Sequence, residues 1–413
     1  MPTERGALAG VRVIDMATLI AAPGAARHLA DFGAEVIKVE APAGDGTRNY
    51  GWPHPDDGVA LFWKQVGRNK RTVVIDAKTD AGLAALRGLI DRSDVLIENL
   101  RPGTLERLGL DPADLLAANP GLVVLRVSGF GQDGPYAGRP GFATLAEAMG
   151  GFAALNGEPD GAPLLPPVAL TDEVTALVGA FAVMVALRHR DATGEGQVVD
   201  VSLLETMVQL LGPLPAVWAQ RGELQPRLGS GIPYSVPRGT YRCADGVWVA
   251  VSTSAESIAA RVLGLLGVAD DPRFADFDGR IRHRAELDEV VAAWVGARSS
   301  AEVLAAFTEA EAAIAPVYSV ADLMADPHVV ARGTFVEVDG VTMPGPAARL
   351  TRTPGVVRHA GRDAGADTDA VLAEVLAEPP RRARPVVSPV ISGSGDRPGS
   401  PGAGRSPDRR DPR

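Results

Sequence analysis

The chain has 413 residues, 46% of them hydrophobic and 22% charged, with a formal net charge of −10. That length exceeds one ordinary core and predicts two domains plus appendages. The composition is globular rather than disordered, and the acidic balance argues against nucleic acid as a partner. A single cysteine, Cys243, excludes an internal disulfide and any cysteine-based metal site, and the six histidines are scattered, so no metal site is expected. The first ten residues contain no apolar leader, and no apolar stretch reaches the ~18 residues of a membrane span. The apolar run 174–187 reads as a helix too short to cross. A cytoplasmic protein without a membrane partner is the expectation.

Strand-like runs at 11–14, 35–39, 72–75, 95–97 and 123–127 alternate with helical stretches such as 79–90 and 110–118. This alternation predicts βαβ units and an α/β fold with a mainly parallel sheet. Ligands gather at the carboxyl ends of such strands. Residues 141–190 read as helices, and the run from Asp172 places Val174, Leu177, Val178, Phe181 and Val185 on one face. The pattern then changes. Residues 240–252 predict a hairpin turning at Asp245-Gly246, followed by helices near 255–266, 285–295 and 301–311. The expected organisation is a Rossmann-like large domain over 1–224, a small α+β domain inserted at 225–325, and a return to the large domain over 326–378. That return carries a segment at 333–339 and a last helix near 367–376. Residues 379–413, rich in Pro, Arg, Ser and Gly, read as a disordered tail.

Two features invite a dinucleotide-binding interpretation. Gly129-Phe-Gly-Gln-Asp-Gly134 follows a strand, but Pro135, Gly138 and Pro140 forbid the helix that would have to open there. The turn Ala21-Ala-Pro-Gly24 lacks the glycines that admit a pyrophosphate. Neither a GxSxG nor a P-loop motif is present, which leaves carboxylates, arginines and lysines as the chemical vocabulary. Asp172 lies in Pro166-Pro-Val-Ala-Leu-Thr-Asp-Glu-Val174, where Thr171 is the predicted N-cap. Acids in a first helical turn are ordinarily dipole complements. A nucleophilic carboxylate must be ionised and poorly hydrated; the helix terminus would hold it ionised, and the apolar residues 168–170 would keep water away.

An ordered series of segments resembles the class III CoA-transferases, the family of formyl-CoA transferase and carnitine-CoA transferase that also contains α-methylacyl-CoA racemase. They include Leu8-Ala-Gly-Val-Arg-Val-Ile-Asp15, Asp31-Phe-Gly-Ala-Glu-Val-Ile-Lys-Val-Glu-Ala-Pro42, Asn69-Lys-Arg-Thr72, Glu98-Asn-Leu-Arg-Pro-Gly103, Arg139-Pro-Gly-Phe142 and Thr193-Gly-Glu-Gly-Gln-Val-Val-Asp-Val-Ser202, within a span of about 7–376. The resemblance implies ring-shaped monomers interlocked as a homodimer, and acyl-CoA and carboxylic acid as substrates, with CoA a substrate rather than a tightly bound cofactor. It implies that Asp172 is the nucleophile and carries CoA as an aspartyl thioester. Ile75, Lys78, Asn99, Leu100, Arg101 and Arg107 match positions at the nucleotide end of CoA, with Arg48 a further candidate. Pro140, Phe142 and Ala143 would border the acyl end, and Gly229-Ser-Gly231 would be the shielding glycine loop.

Three departures stand out. Phe142 and Ala143 replace the racemase's His-Asp pair, which makes racemisation improbable. Ala143 also removes the acid usual in the transferases, a role left to Glu173 or Glu147. Ile20 replaces a glutamine of formyl-CoA transferase, which favours a more apolar acyl group. A racemase or isomerase and a noncatalytic CoA-ester-binding homologue are the alternatives to a CoA-transferase.

Overall fold

The computed structural model describes residues 6–381. Six strands form the central sheet: β1 (Arg12–Asp15), β2 (Glu35–Glu40), β3 (Lys70–Val74), β4 (Val95–Glu98), β5 (Val123–Ser128) and β6 (Val198–Ser202). All neighbours are parallel, in the order β3-β2-β1-β4-β5-β6, which is the Rossmann order. Five strands match the expected runs; β6 does not. Its Val198 and Asp200 are exposed, so it lacks the continuous apolar run of a strand buried on both faces.

Successive residues serve opposite faces of the sheet. Val13, Val36, Val95 and Leu125 join a core with the helices Ala21–Asp31 and Leu170–Thr193. Ile14, Ile37, Leu96 and Val124 join a second core with Asp80–Ile90 and with Thr368–Ala377, whose Val371 and Val375 bring the distant end of the chain back to the sheet.

The helix Leu170–Thr193 buries its small residues rather than its large apolar ones. Its buried face carries Thr171, Thr175, Ala176, Gly179 and Val183. The large apolar stripe points outward, with Leu177 55%, Phe181 69% and Val185 53% exposed. The cause is close packing on Ala21–Asp31, since a Cβ on Gly24 would stand 2.8 Å from the Cβ of Ala176. Only small side chains fit between the two helices. At 24 residues the helix is also longer than expected and has the length and composition of a membrane span. Its buried Arg190, paired with Asp94 at 2.8 Å, and its packing on the sheet make it a core helix.

Between β6 and the end of the chain lies an antiparallel sheet of β7 (Arg238–Arg242), β8 (Trp248–Ser252) and β9 (Ile314–Pro316). The β7–β8 turn passes through Gly246 at φ +88. Tyr241, Val249, Val251, Val291, Val295, Val303 and Phe307 form a separate core there. A hairpin of β10 (Phe335–Val338) and β11 (Val341–Pro344) follows. Most of the predicted tail, 382–413, lies outside the described residues. Its start is anchored, because the Arg381 N–H donates to the Asp91 carbonyl at 2.8 Å and its guanidinium pairs with Asp94.

Candidate active site

The strand order reverses between β1 and β4, so the loops after them part and leave a crevice at the carboxyl edge. A cavity of about 590 Å³ occupies it, lined by the loop after β1, the segment Asn99–Arg101 after β4, Ser128 and Gly129 at the end of β5, residues 137 and 139–144, and Asp172.

Each wall has an identifiable support. The Asn99 side chain accepts from the Thr18 N–H at 2.9 Å and donates to the Thr18 carbonyl at 2.7 Å, tying the two switch-point loops together. Beside Thr18, Leu19 has φ +66, a conformation costing a non-glycine residue roughly 1–2 kcal/mol. Two buried lysines brace this strained loop from below. Lys38 donates to the Ala17 carbonyl and pairs with Asp45 at 2.8 Å. Lys70 bonds Asp15 at 2.8 Å and the Pro23 carbonyl at 2.7 Å. Burial lowers the Lys70 ammonium to about 8, so it stays mostly protonated at neutral pH. On the other wall Gly141 lies against Gly129; a Cβ on either would come within 2.5 Å of the other's Cα.

Asp172 is the third residue of Leu170–Thr193. The N-cap is Ala169, not the expected Thr171. Thr171 turns inward, where its hydroxyl donates to Glu147 Oε1 at 2.9 Å. Burial raises the Asp172 carboxyl to about 6, reinforced by the negative charges of Glu147 and Glu173. Of the two influences expected on this carboxylate, a helix terminus that holds it ionised and an apolar surround that keeps water away, desolvation is the larger and acts to raise its pKa. Glu147 is buried. Glu173 is engaged by Arg27 at 2.9 Å.

Asp172, Asn99, Leu100, Arg101, Pro140, Phe142 and Ala143 therefore border one cavity, together with Ile20. Four other predicted residues lie outside its lining. Ile75 is buried in the core beneath β3's end, Lys78 is exposed, and Arg107 is exposed and donates to the Thr104 hydroxyl at 2.7 Å. Arg48 grips Glu40 at 2.6 and 2.7 Å, donates to the Arg362 carbonyl, and stacks 3.8 Å over Trp63. The Gly229–Gly231 segment lies in a different depression, with Arg238, Tyr241 and Asp288. Sequence reasoning missed the Lys38–Lys70 brace. Its signal was a cation inside each of two strands, since a lysine is fully buried only when paired. It also missed Arg139, which lines the cavity.

The model of CoA-transferase family III matches residues 8–368. The chain is 40% identical over 381 residues to the beta subunit of succinyl-CoA–L-malate CoA-transferase of Chloroflexus aurantiacus, covering 89% of this chain and 94% of that one. It is 35% identical to succinate–glutarate CoA-transferase of Agrobacterium fabrum, over 86% of this chain and 90% of that one. A crystal structure of a CAIB/BAIF family protein from Brucella suis superposes with a TM-score of 0.81 at 31% identity, over 90% of this chain and 100% of that one. The chain belongs to CoA-transferase family III and is a class III CoA-transferase.

Proposed function

We propose that the protein moves CoA from an acyl-CoA to a free carboxylic acid through covalent intermediates on Asp172. The observation that carries this reading is the placement of Asp172: one carboxylate at the switch-point cavity, partly desolvated, with its basicity raised by burial and by Glu147. A carboxylate near 6 remains mostly ionised at neutral pH yet is more basic, hence more nucleophilic, than an ordinary aspartate.

Four displacements complete the exchange. An Asp172 oxygen attacks the donor thioester carbonyl, giving a mixed anhydride and expelling the CoA thiolate. The thiolate attacks the Asp172 carbonyl of that anhydride, giving aspartyl-CoA and releasing the donor acid as its carboxylate. The acceptor carboxylate attacks aspartyl-CoA, forming a second anhydride and freeing the thiolate again. The thiolate then attacks the acceptor's acyl carbonyl, producing the new CoA ester and restoring Asp172. Each step exchanges one acyl linkage for another, so no external energy source is required.

The named relatives act on succinyl-CoA with malate and on succinate with glutarate. We carry that substrate class over, in place of the expected apolar acyl group: short acids with a second carboxylate. Residues 1–224 and 326–378 would form the CoA-binding unit and 225–325 the small domain. The outward stripe of Leu177, Phe181 and Val185 supports a second subunit packing there; we infer a homodimer, as the resemblance implies. No base replaces the missing histidine at Phe142, so racemisation is not favoured.

The test is mass spectrometry of enzyme mixed with a panel of acyl-CoA esters and free acids in D₂O. New CoA esters matched to the added acids, and abolished by Asp172→Ala, are expected. Unchanged esters gaining deuterium at the α-carbon would mean a racemase instead.

A further inference from the structure

We propose that Arg139 is the specificity residue of this site, binding the distal carboxylate of both the donor acyl group and the acceptor acid. The inference rests on the dicarboxylate assignment above and gives it a receptor.

Arg139 opens the turn Arg139-Pro-Gly-Phe142 that lines the cavity with Asp172. The turn has little room to shift. Gly141 is packed on the Gly129 backbone, and the Arg139 N–H donates to the Tyr136 carbonyl at 2.9 Å. The guanidinium is oriented too, lying 3.8 Å over the Tyr136 ring, which itself meets Phe130 edge-on at 5.9 Å. Stacking occupies the flat face of a guanidinium and leaves its N–H edge available for a fork-like pair with a carboxylate.

Charge supplies the second argument. Asp172 and the buried Glu147 make this end of the cavity repulsive to an anion. A second carboxylate on the substrate therefore needs a cation. Arg48 is engaged by Glu40 and lies outside the lining. Arg101 lines the same cavity from the loop after β4, whereas Arg139 directly precedes the Pro140–Ala143 wall and is held by the Tyr136 ring. Donor and acceptor occupy the acyl site in turn, so one arginine serves both.

The experiment compares wild type, Arg139→Gln and Arg139→Lys. The substrate pairs are succinyl-CoA with glutarate, and butyryl-CoA with valerate, which match in length but lack the distal charge. The ratio of kcat/KM for the dicarboxylic pair to that for the monocarboxylic pair should fall about tenfold in Arg139→Gln, less than for a fully desolvated charge pair because Arg139 is exposed in the free protein. The fall should appear chiefly in KM, with partial recovery in Arg139→Lys. An unchanged ratio would overturn the assignment, including the case where both activities drop together because the turn has collapsed. A wild type that transfers CoA only among monocarboxylates would remove the dicarboxylate reading itself, and Arg139's role with it. Asp172-dependent transfer would survive that result.

Discussion

Replacing Glu147 with glutamine removes a negative charge from beside Asp172 while keeping an acceptor for the Thr171 hydroxyl. Asp172 rises from 3.8 to about 6, a difference of about 2 pH units and therefore about 3 kcal/mol between its two protonation states. Burial is the leading cause and two acids share the remainder, Glu147 ahead of Glu173. The Glu147 charge therefore contributes less than burial and more than Glu173. Ionised Asp172 is the attacking form, so kcat/KM for the donor acyl-CoA should fall as pH drops through about 6 in the wild type. In Glu147→Gln the acidic limb should move to lower pH, with a modestly lower plateau because the nucleophile is less basic. The assay is the pH dependence of CoA-ester formation between pH 5 and 8. A limb that stays in place, or moves upward, would refute this electrostatic coupling.

Three further perturbations bear on the same site. The carboxyl of Asp172 is raised in the fold above its unfolded value, so its ionised form opposes folding at neutral pH, and that penalty disappears as pH falls through the window from about 6 to 3.8. Asp172→Asn should therefore abolish turnover yet raise the Tm by about 1–2 °C at pH 7.5, after discounting for partial exposure; calorimetry at pH 7.5 and pH 4 would reveal a gain that vanishes in acid. Gly141→Ala would force a Cβ to within 2.5 Å of Gly129 and displace the wall that faces Asp172, so kcat/KM should drop at least about tenfold with the fold retained; undiminished activity would contradict that geometry. The inferred homodimer, packed on the outward stripe, predicts that Phe181→Glu at its 69%-exposed position shifts light scattering from dimer to monomer; a wild type that is already monomeric, or a variant dimer that is unaltered, would contradict that interface.

Five of the six strands of the large sheet were legible because both of their faces are largely buried, which leaves continuous β-branched runs in the chain. Strands with fewer buried positions escaped: β6 exposes Val198 and Asp200, and β9 has only three residues. Periodicity placed Leu177, Phe181 and Val185 together on one helical face but gave no indication of which face is covered. The decision lay with Gly24, Ala176 and Gly179, whose small size allows a close helix pair and sends the larger residues outward. Thr171 followed its capping propensity in sequence, yet a buried Glu147 about one helical turn past Ala143 competes for its hydroxyl. Asp172 itself was identified through family resemblance, because a first-turn acid is commonplace. Its cavity, its acidic neighbours and its raised basicity are products of the tertiary fold.

The central claim is that Asp172 forms a covalent bond with CoA. Enzyme incubated with an acyl-CoA donor and no acceptor, quenched in acid and digested, should yield a peptide containing Asp172 that carries CoA as a thioester. Hydroxylamine should remove the adduct, and the Asp172→Asn protein should lack it. An adduct on a different residue, or undiminished CoA transfer by Asp172→Asn, would contradict the mechanism.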